Sequence, residues 1–457
     1  MRPWLKPAAD YLVQWLEFQL RLHEQPGCVV ALAYRGRLVL ERAFGYADAA
    51  KRVTLTPRHR FRVASHSKSF TAAAIMSLVE RKKLALDDRV GRYLGELHPQ
   101  IARATLAELL SHSAGLVRDG SDSGQFVDRR PFLSAAEVKS DLSAPPILKR
   151  SNRFKYSNHG YALLGLVIEQ VTGERYRTWI ERELIARLGL AETFVDMPIA
   201  PRTPFARGHS AKLPAGWRMV IPGDFTTNAI APAGGFVSTA ADLVRFFSQL
   251  APGATKSMLS PASRRTMIRK RWRDPHSSIE RYYGLGIVSG TLAAWPWFGH
   301  SGGLQGYITR TVVLPTHDVA LSILANSIDA PTYLWVDGAM HILRAFAREG
   351  PPARRLRDWK GRWWTIWNAL DLVPVGTKVL AANPAYFNPF LDATELEVRS
   401  RDSGRIALAS GYASHGEPAR LVREPGGAVA EVWLGGTRYV REAALAREME
   451  DRYGAAS

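Results

Sequence analysis

Ser65-His66-Ser67-Lys68 is the first grouping in the chain whose residue types and spacing could do chemistry. A serine hydroxyl is a poor nucleophile until something takes its proton. Residues three apart on a helix share a face, so Lys68 falls within reach of Ser65. A lysine withdrawn from water loses its charge more readily and can then accept that proton. The run that follows, SFTAAAIMSLVERKKL, is small and apolar over most of its surface and reads as a buried helix. Ser65 then stands at a helix start, where unpaired N–H groups and the positive end of the dipole gather. A capping serine beside a solvated lysine is the ordinary reading of these four residues, and the apolar helix counts against it.

Two further groupings lie downstream. Tyr156-Ser157-Asn158 falls in the run FKYSNHGYALLGLVIEQVTG, in a short loop before a second apolar helix. A phenol beside an ammonium has its phenolate favoured and can serve as a general base. Asn158 offers both donor and acceptor, suited to holding Lys68 and a substrate amide. His300-Ser301-Gly302-Gly303 follows WPWFG and precedes a strand. Glycines at a strand edge allow a substrate backbone to approach, and a backbone N–H there can pair with that of Ser65 in an oxyanion hole. Taken singly, Tyr-x-Asn is a turn and the histidine a structural residue. Taken with the serine and lysine, they make one constellation. The sequence does not decide whether Lys68 or Tyr156 is the base.

These residues need elements to hold them. The N-terminal segment carries charges at helical spacing and reads as an amphipathic helix. A strand pair follows, CVVALAY and RLVLERAFGYAD, joined by the turn Arg35-Gly36. The middle of the chain reads as mostly helical, with loops rich in Gly, Ser and Pro at 117–150 and 196–235 expected to shape a pocket. Strand signals return in YGLGIVSG, YITRTVVL and DVALSILANS, and a helix over about Tyr333–Arg348 closes this part. GPPARR at 350–355 reads as a linker. Beyond it TELEVRS, GRIALAS, ARLVRE, AVAEVWL and TRYVRE are short strands with Gly-rich turns between them, which suggests a small antiparallel barrel or sandwich. The four tryptophans between Trp359 and Trp367 are expected in its core.

The order S-x-x-K, then Y-x-N, then H-x-G resembles the penicillin-recognising serine hydrolases, in the branch of class C β-lactamases, D-alanyl-D-alanine peptidases, D-aminopeptidases and esterases. FRVASHSKSFTAAAIMSLVE, LAELLSHSAGL, APAGGFVSTAADLVRFF and HSGGLQGY carry the likeness over about residues 10–348. The resemblance implies a β-lactamase-like α/β fold, an antiparallel sheet flanked by helices plus a mostly helical region. It implies Ser65 as acylated nucleophile, Lys68 and Tyr156 as proton-transfer pair, Asn158, His300 and Ser301 as substrate-binding residues, and Gly303 as second oxyanion donor. His300 stands where the β-lactamases carry the lysine of their K-T-G motif. His112, in SHSAG, resembles a loop of the family that is mainly structural. The tail resembles the lipocalin-like barrel attached to some relatives. The expected organisation is a hydrolase domain over 1–349, a linker over 350–355, a barrel over 356–450 and a tail over 451–457.

The 457 residues are 46% hydrophobic and 23% charged, a composition that buries a core. The net charge of +19 invites an anionic partner. The basic residues are scattered and no nucleic-acid motif accompanies them, so neither nucleic acid nor membrane is expected as partner. Cys28, the one cysteine, lies in an apolar run and reads as core. Nothing resembles a signal peptide or a membrane span, and the expected address is the cytoplasm. No metal-ligand spacing and no phosphate loop occur, so no metal or cofactor is expected. The resulting expectation is a serine hydrolase acting on a small peptide or amide, D-amino-acid peptides included. A carboxylesterase or a β-lactamase is the close alternative, and a catalytically quiet sensor or assembly protein the distant one. A homo-oligomer stays open.

Overall fold

The computed structural model describes residues 2–275, 277, 280–409 and 414–454. It divides into two compact units, Gln25–Val336 and the pair of segments Met1–Glu24 with Asp337–Ser457.

The Gln25–Val336 unit is built on an antiparallel sheet of nine strands among the described residues. They are β1 (Gly27–Tyr34), β2 (Arg37–Asp48), β3 (Val53–Thr54), β4 (Trp272–Arg273), β5 (Glu280–Tyr283), β6 (Val288–Leu292), β7 (Trp295–Leu304), β8 (Tyr307–Leu314) and β9 (Val319–Ala325). Their order is β3-β2-β1-β9-β8-β7-β6-β5-β4. The central strands β1 and β9 are the near-continuous apolar runs GCVVALAY and VALSILA, buried along almost their whole length. That is the pattern of strands covered on both faces. Arg35 and Gly36, both at positive φ, turn the β1–β2 hairpin, as a two-residue loop between right-twisted strands requires. Cys28 is fully buried in β1.

Helices flank this sheet. The Ala240–Gln249 helix packs on β1, β8 and β9. The Ser67–Glu80 helix is buried from Ser67 to Leu78, and its triplet Ala72-Ala73-Ala74 keeps it thin enough for close neighbours. One of these is Gly286, at φ +66, where a side chain would meet the Ala72 methyl at 2.5 Å. The Asn158–Thr172 helix packs beside it. YGLGIVSG is less regular than its expected strand. β5 ends at Tyr283 and β6 starts at Val288, because Gly286 turns the chain between them.

The second unit holds the Leu5–Leu22 helix, most of the Thr332–Glu349 helix, a closed eight-stranded antiparallel barrel over Gly361–Val440, and a Glu442–Tyr453 helix. Within it Gln19 Nε2 donates to the Pro384 carbonyl at 2.7 Å and Trp15 Nε1 to that of Tyr386 at 3.2 Å. The expected division at 349–356 and the observed units differ for this reason: the first helix and residues 337–349 group with the barrel strands. Trp359 and Trp363 are fully buried in the barrel core, whereas Trp367 is 90% exposed at the tip of the first barrel hairpin. Of the expected tail, 451–453 complete a helix and 455–457 lie outside the described residues.

Candidate active site

Three motif-bearing stretches of the Gln25–Val336 unit converge on Ser65. The first is its own. Val63 follows the short strand Phe61–Arg62, Ala64 takes a left-handed φ of +47, and a turn of 3-10 helix over Ala64–His66 feeds the Ser67–Glu80 helix. A non-glycine residue rarely adopts that φ, and such strain gathers where structure holds a reactive group. Ser67 anchors the turn from behind, its Oγ bonded to the Ala64 carbonyl and accepting from the Phe236 N–H. Ser65 is left half-buried in an otherwise buried segment.

Lys68 is fully buried beneath it. Its Nζ lies 3.2 Å from Ser65 Oγ, 2.7 Å from Asn158 Oδ1 and 2.7 Å from the Ala233 carbonyl. Tyr156, from the second stretch, donates its hydroxyl to Ser65 Oγ at 2.9 Å. Ser157 caps the Asn158–Thr172 helix by accepting from the Gly160 N–H, and so sets Tyr156 and Asn158 on either side of the cap. Asn158 is held at both ends of its amide, with Nδ2 donating to Asp119 Oδ1 at 2.5 Å. Asp119 also pairs with Arg118, at 3.0 Å.

β7 brings the third motif. Gly302 has no room for a side chain, since a Cβ would come within 2.2 Å of the Val63 carbonyl. The bare backbone lets β7 lie against the turn that carries Ser65. Ser301, Gly303 and the buried His300 then line the same cavity as Ser65, Tyr156 and Asn158. His300 Nε2 meets the Tyr283 hydroxyl at 3.1 Å, and Nδ1 accepts from the Ser301 N–H at 2.9 Å. Every residue singled out from the sequence for this site is therefore in one place.

Burial governs the electrostatics. It pushes the Lys68 ammonium well below the lysine range; Asp119 opposes the push and Arg118 adds to it. It pushes the Tyr156 phenol above its ordinary value, against the pull of the Ser65 hydrogen bond and of Arg118. It lowers His300 to about 3, with His66 and Lys68 contributing. Burial therefore works against the charged form of all three groups. This differs from the phenolate expected of a tyrosine beside an ammonium, because desolvation disfavours both charges at once. Lys68 Nζ donates to Asn158 Oδ1 and the Ala233 carbonyl as well as facing Ser65 Oγ, and an amine that has given up its proton turns its lone pair to the Ser65 hydroxyl.

The cavity above these groups measures about 1080 Å³. Both loops expected to shape it do so, through Arg118, Phe126 and Phe132 from the first and Thr227, Ile230 and Ala233 from the second. Sequence reasoning missed Arg118, Asp119 and Tyr283. Arg118 and Asp119 lie in a loop with no periodicity or motif, and Tyr283 opens the strand signal YGLGIVSG without a chemical motif, so only the fold brings them to this cavity. His66 turns away from the nucleophile it adjoins, bonding Val63 O and Thr311 Oγ1, each at 3.0 Å, and burial lowers it to about 4. Among the described residues, no group of three or more His, Cys, Asp or Glu is placed to hold a metal, and no helix is long and apolar enough to cross a membrane.

A half-buried serine wired to a buried lysine and a tyrosine at the base of a cavity, on a helix-flanked antiparallel sheet, defines a β-lactamase-like serine hydrolase. The profile of the Beta-lactamase family matches residues 16–333, and the chain belongs to that family. It is 29% identical over 318 residues to Penicillin-binding protein 4 of Amycolatopsis lactamdurans, covering 66% of this chain and 81% of that protein. It is similar to the D-amino acid amidase of Ochrobactrum anthropi SV3 in complex with D-phenylalanine, at TM-score 0.64 and 25% identity over 73% of this chain and 99% of that one. The octameric penicillin-binding protein homologue of Pyrococcus abyssi shares the fold at TM-score 0.67 and 22% identity, over 94% of this chain and 99% of that one.

Proposed function

We propose that the chain hydrolyses the amide bond of small substrates, amino-acid amides and short peptides with a D-residue at the cleaved bond among them, through an acyl-enzyme on Ser65. The observation that carries this reading is the placement of Ser65 Oγ between Lys68 Nζ, at 3.2 Å, and Tyr156 Oη, at 2.9 Å. Neutral Lys68 takes the Ser65 proton as Oγ attacks the substrate carbonyl. The N–H groups of Ser65 and Gly303 receive the oxyanion. Tyr156 delivers a proton to the leaving nitrogen, and the C–N bond breaks to give ester and amine. Water then attacks the ester along the same proton path in reverse, releasing a carboxylic acid and restoring Ser65. Asn158 orients Lys68 and offers its remaining amide N–H to the substrate carbonyl. His300 and Ser301 form the wall beside it.

The likeness to a D-amino acid amidase supports the amide class. His300 supports it against a β-lactamase. A β-lactam presents a carboxylate near its scissile amide, and a lysine at this position meets that carboxylate with a permanent charge. Histidine lowered to about 3 is neutral throughout the physiological range. A charge-assisted hydrogen bond contributes roughly 1.5–3 kcal/mol, so its absence lowers acylation by a factor on the order of 10 to 100. The cytoplasm is part of this proposal, supported by a lone buried cysteine that forms no disulfide. A homo-oligomer is part of it only as a state to be measured, because the octameric homologue is alike in fold alone.

One purified sample assayed on D- and L-amino-acid amides, short acyl esters and a chromogenic cephalosporin tests the reading. Neutral amides are expected to turn over clearly and the cephalosporin poorly, and His300→Lys is expected to raise the cephalosporin rate more than the ester rate. Esters hydrolysed in preference to every amide would make the chain an esterase. Cephalosporin turnover matching or exceeding every amide and ester would make it a β-lactamase despite its histidine.

A further inference from the structure

His112 ends the Leu106–Leu110 helix in a left-handed conformation, φ +57, and is almost fully buried. Its carbonyl accepts from the Lys155 N–H at 2.7 Å, and its ring Nδ1 accepts from the Ser157 N–H at 3.1 Å. The residue between those two donors is Tyr156. The His112 ring also lies against the Tyr156 ring, centroids 4.1 Å apart and planes 32° apart. Phe154, Tyr161 and Tyr283 surround the imidazole within 5.6 Å, centroid to centroid. One step further along the helix end, Ser113 O accepts from the Ser151 N–H at 2.8 Å. The SHS segment is thus zipped to the stretch that carries Tyr156.

We infer that His112 is a positioning residue for Tyr156, gripping the tripeptide around it from both sides and from one ring face. The inference rests on the reading in which Tyr156 passes a proton at Ser65. Nδ1 can accept from Ser157 only in the neutral tautomer with its proton on Nε2. That Nε2 is buried and meets no hydrogen-bond partner among the described residues. An unpaired buried donor destabilises the fold, so this ring is poorly explained as a structural hydrogen-bonding residue. It is better explained by what Nδ1 and the ring face hold. A shift of about 1 Å at a catalytic group lowers rate on the order of 100-fold.

Asparagine and leucine have nearly the same shape, and only asparagine keeps an acceptor near the place of Nδ1. H112L, which loses acceptor and ring, is expected to lower kcat on the best amide about 100-fold with KM changed by less than about threefold. H112N is expected to recover at least about tenfold of that loss at a similar melting temperature. H112F, which keeps a ring and no acceptor, is expected to fall with H112L and replaces it if H112L does not fold. If neither apolar variant folds, H112N decides alone, and a kcat within about tenfold of wild type supports the role. Equal kcat for folded H112N and H112L, or wild-type kcat in either apolar variant, would overturn it. Tyr156→Phe separates the two readings: undiminished kcat there would remove Tyr156 from the proton path and leave the His112 contacts merely structural.

Discussion

Lys68→Met is expected to lower kcat on the best amide substrate by at least about 1000-fold, the upper part of the range for losing a positioned proton acceptor. Methionine matches lysine in length and flexibility, so the buried channel stays filled. What disappears is the nitrogen lone pair 3.2 Å from Ser65 Oγ. Among the described residues, the two nearest titratable neighbours are poorly suited to replace it. Tyr156 is held in its protonated form by burial, and His66 turns its nitrogens to Val63 and Thr311. Asn158 Oδ1 and the Ala233 carbonyl also lose their donor, so some loss of stability is expected beside the kinetic effect. A melting curve on the same sample separates the two. Folded Lys68→Met with kcat within tenfold of wild type would show that Lys68 is not the proton acceptor.

The largest stability effect is expected at Arg62, three residues before the nucleophile. Its side chain is completely buried. It donates to Asp196 at 2.9 Å and to the carbonyls of Gly223 and Gly235, both at 2.9 Å, and it bonds the Phe225 carbonyl as well. Asp196 in turn accepts from the Thr227 N–H at 2.7 Å. One guanidinium therefore ties the strand segment that leads to Ser65 to the 196–235 loop, whose Thr227, Ile230 and Ala233 line the cavity. Removing one partner of a buried ion pair leaves an uncompensated charge and typically destabilises by about 3–5 kcal/mol. Arg62→Ala is expected to lower the unfolding free energy by about that much, read as a lower urea midpoint at unchanged slope. A shift worth less than about 1 kcal/mol would mean that this loop is held by other contacts.

The nucleophile, its lysine and the Tyr-x-Asn pair are legible because each sits at the start of an apolar helix, and the His-x-Gly edge because it adjoins the strand YITRTVVL, although WPWFGHSGGL itself does not announce the strand it forms. Local sequence both names those residues and places them. Arg118 and Asp119 were not legible: they stand in a loop, and the bond of Asp119 to Asn158 spans 39 positions. The same holds for the way the chain divides. The Leu5–Leu22 helix shows its apolar face in sequence, but what covers that face does not. Trp15 finds its partner at Tyr386, 371 positions away. The later barrel strands alternate clearly, whereas Ala369–Val375 carries Asp371 and Pro374 and gives no such signal. The Glu442–Tyr453 helix buries none of its residues and so gives no helical apolar stripe; the sequence puts 442–450 with the barrel and 451–453 with the tail.

The claim that everything else depends on is the covalent one, that Ser65 is the residue acylated. A serine-directed phosphonate added to the full chain, followed by peptide mapping in a mass spectrometer, tests it directly. One adduct per chain is expected, on Ser65, with turnover lost in step with labelling. Ser65→Ala is expected to take no label and to lose activity by several orders of magnitude, about 10³-fold or more, while melting as the wild type does. An adduct on any other residue, or hydrolysis undiminished in folded Ser65→Ala, would contradict the assignment.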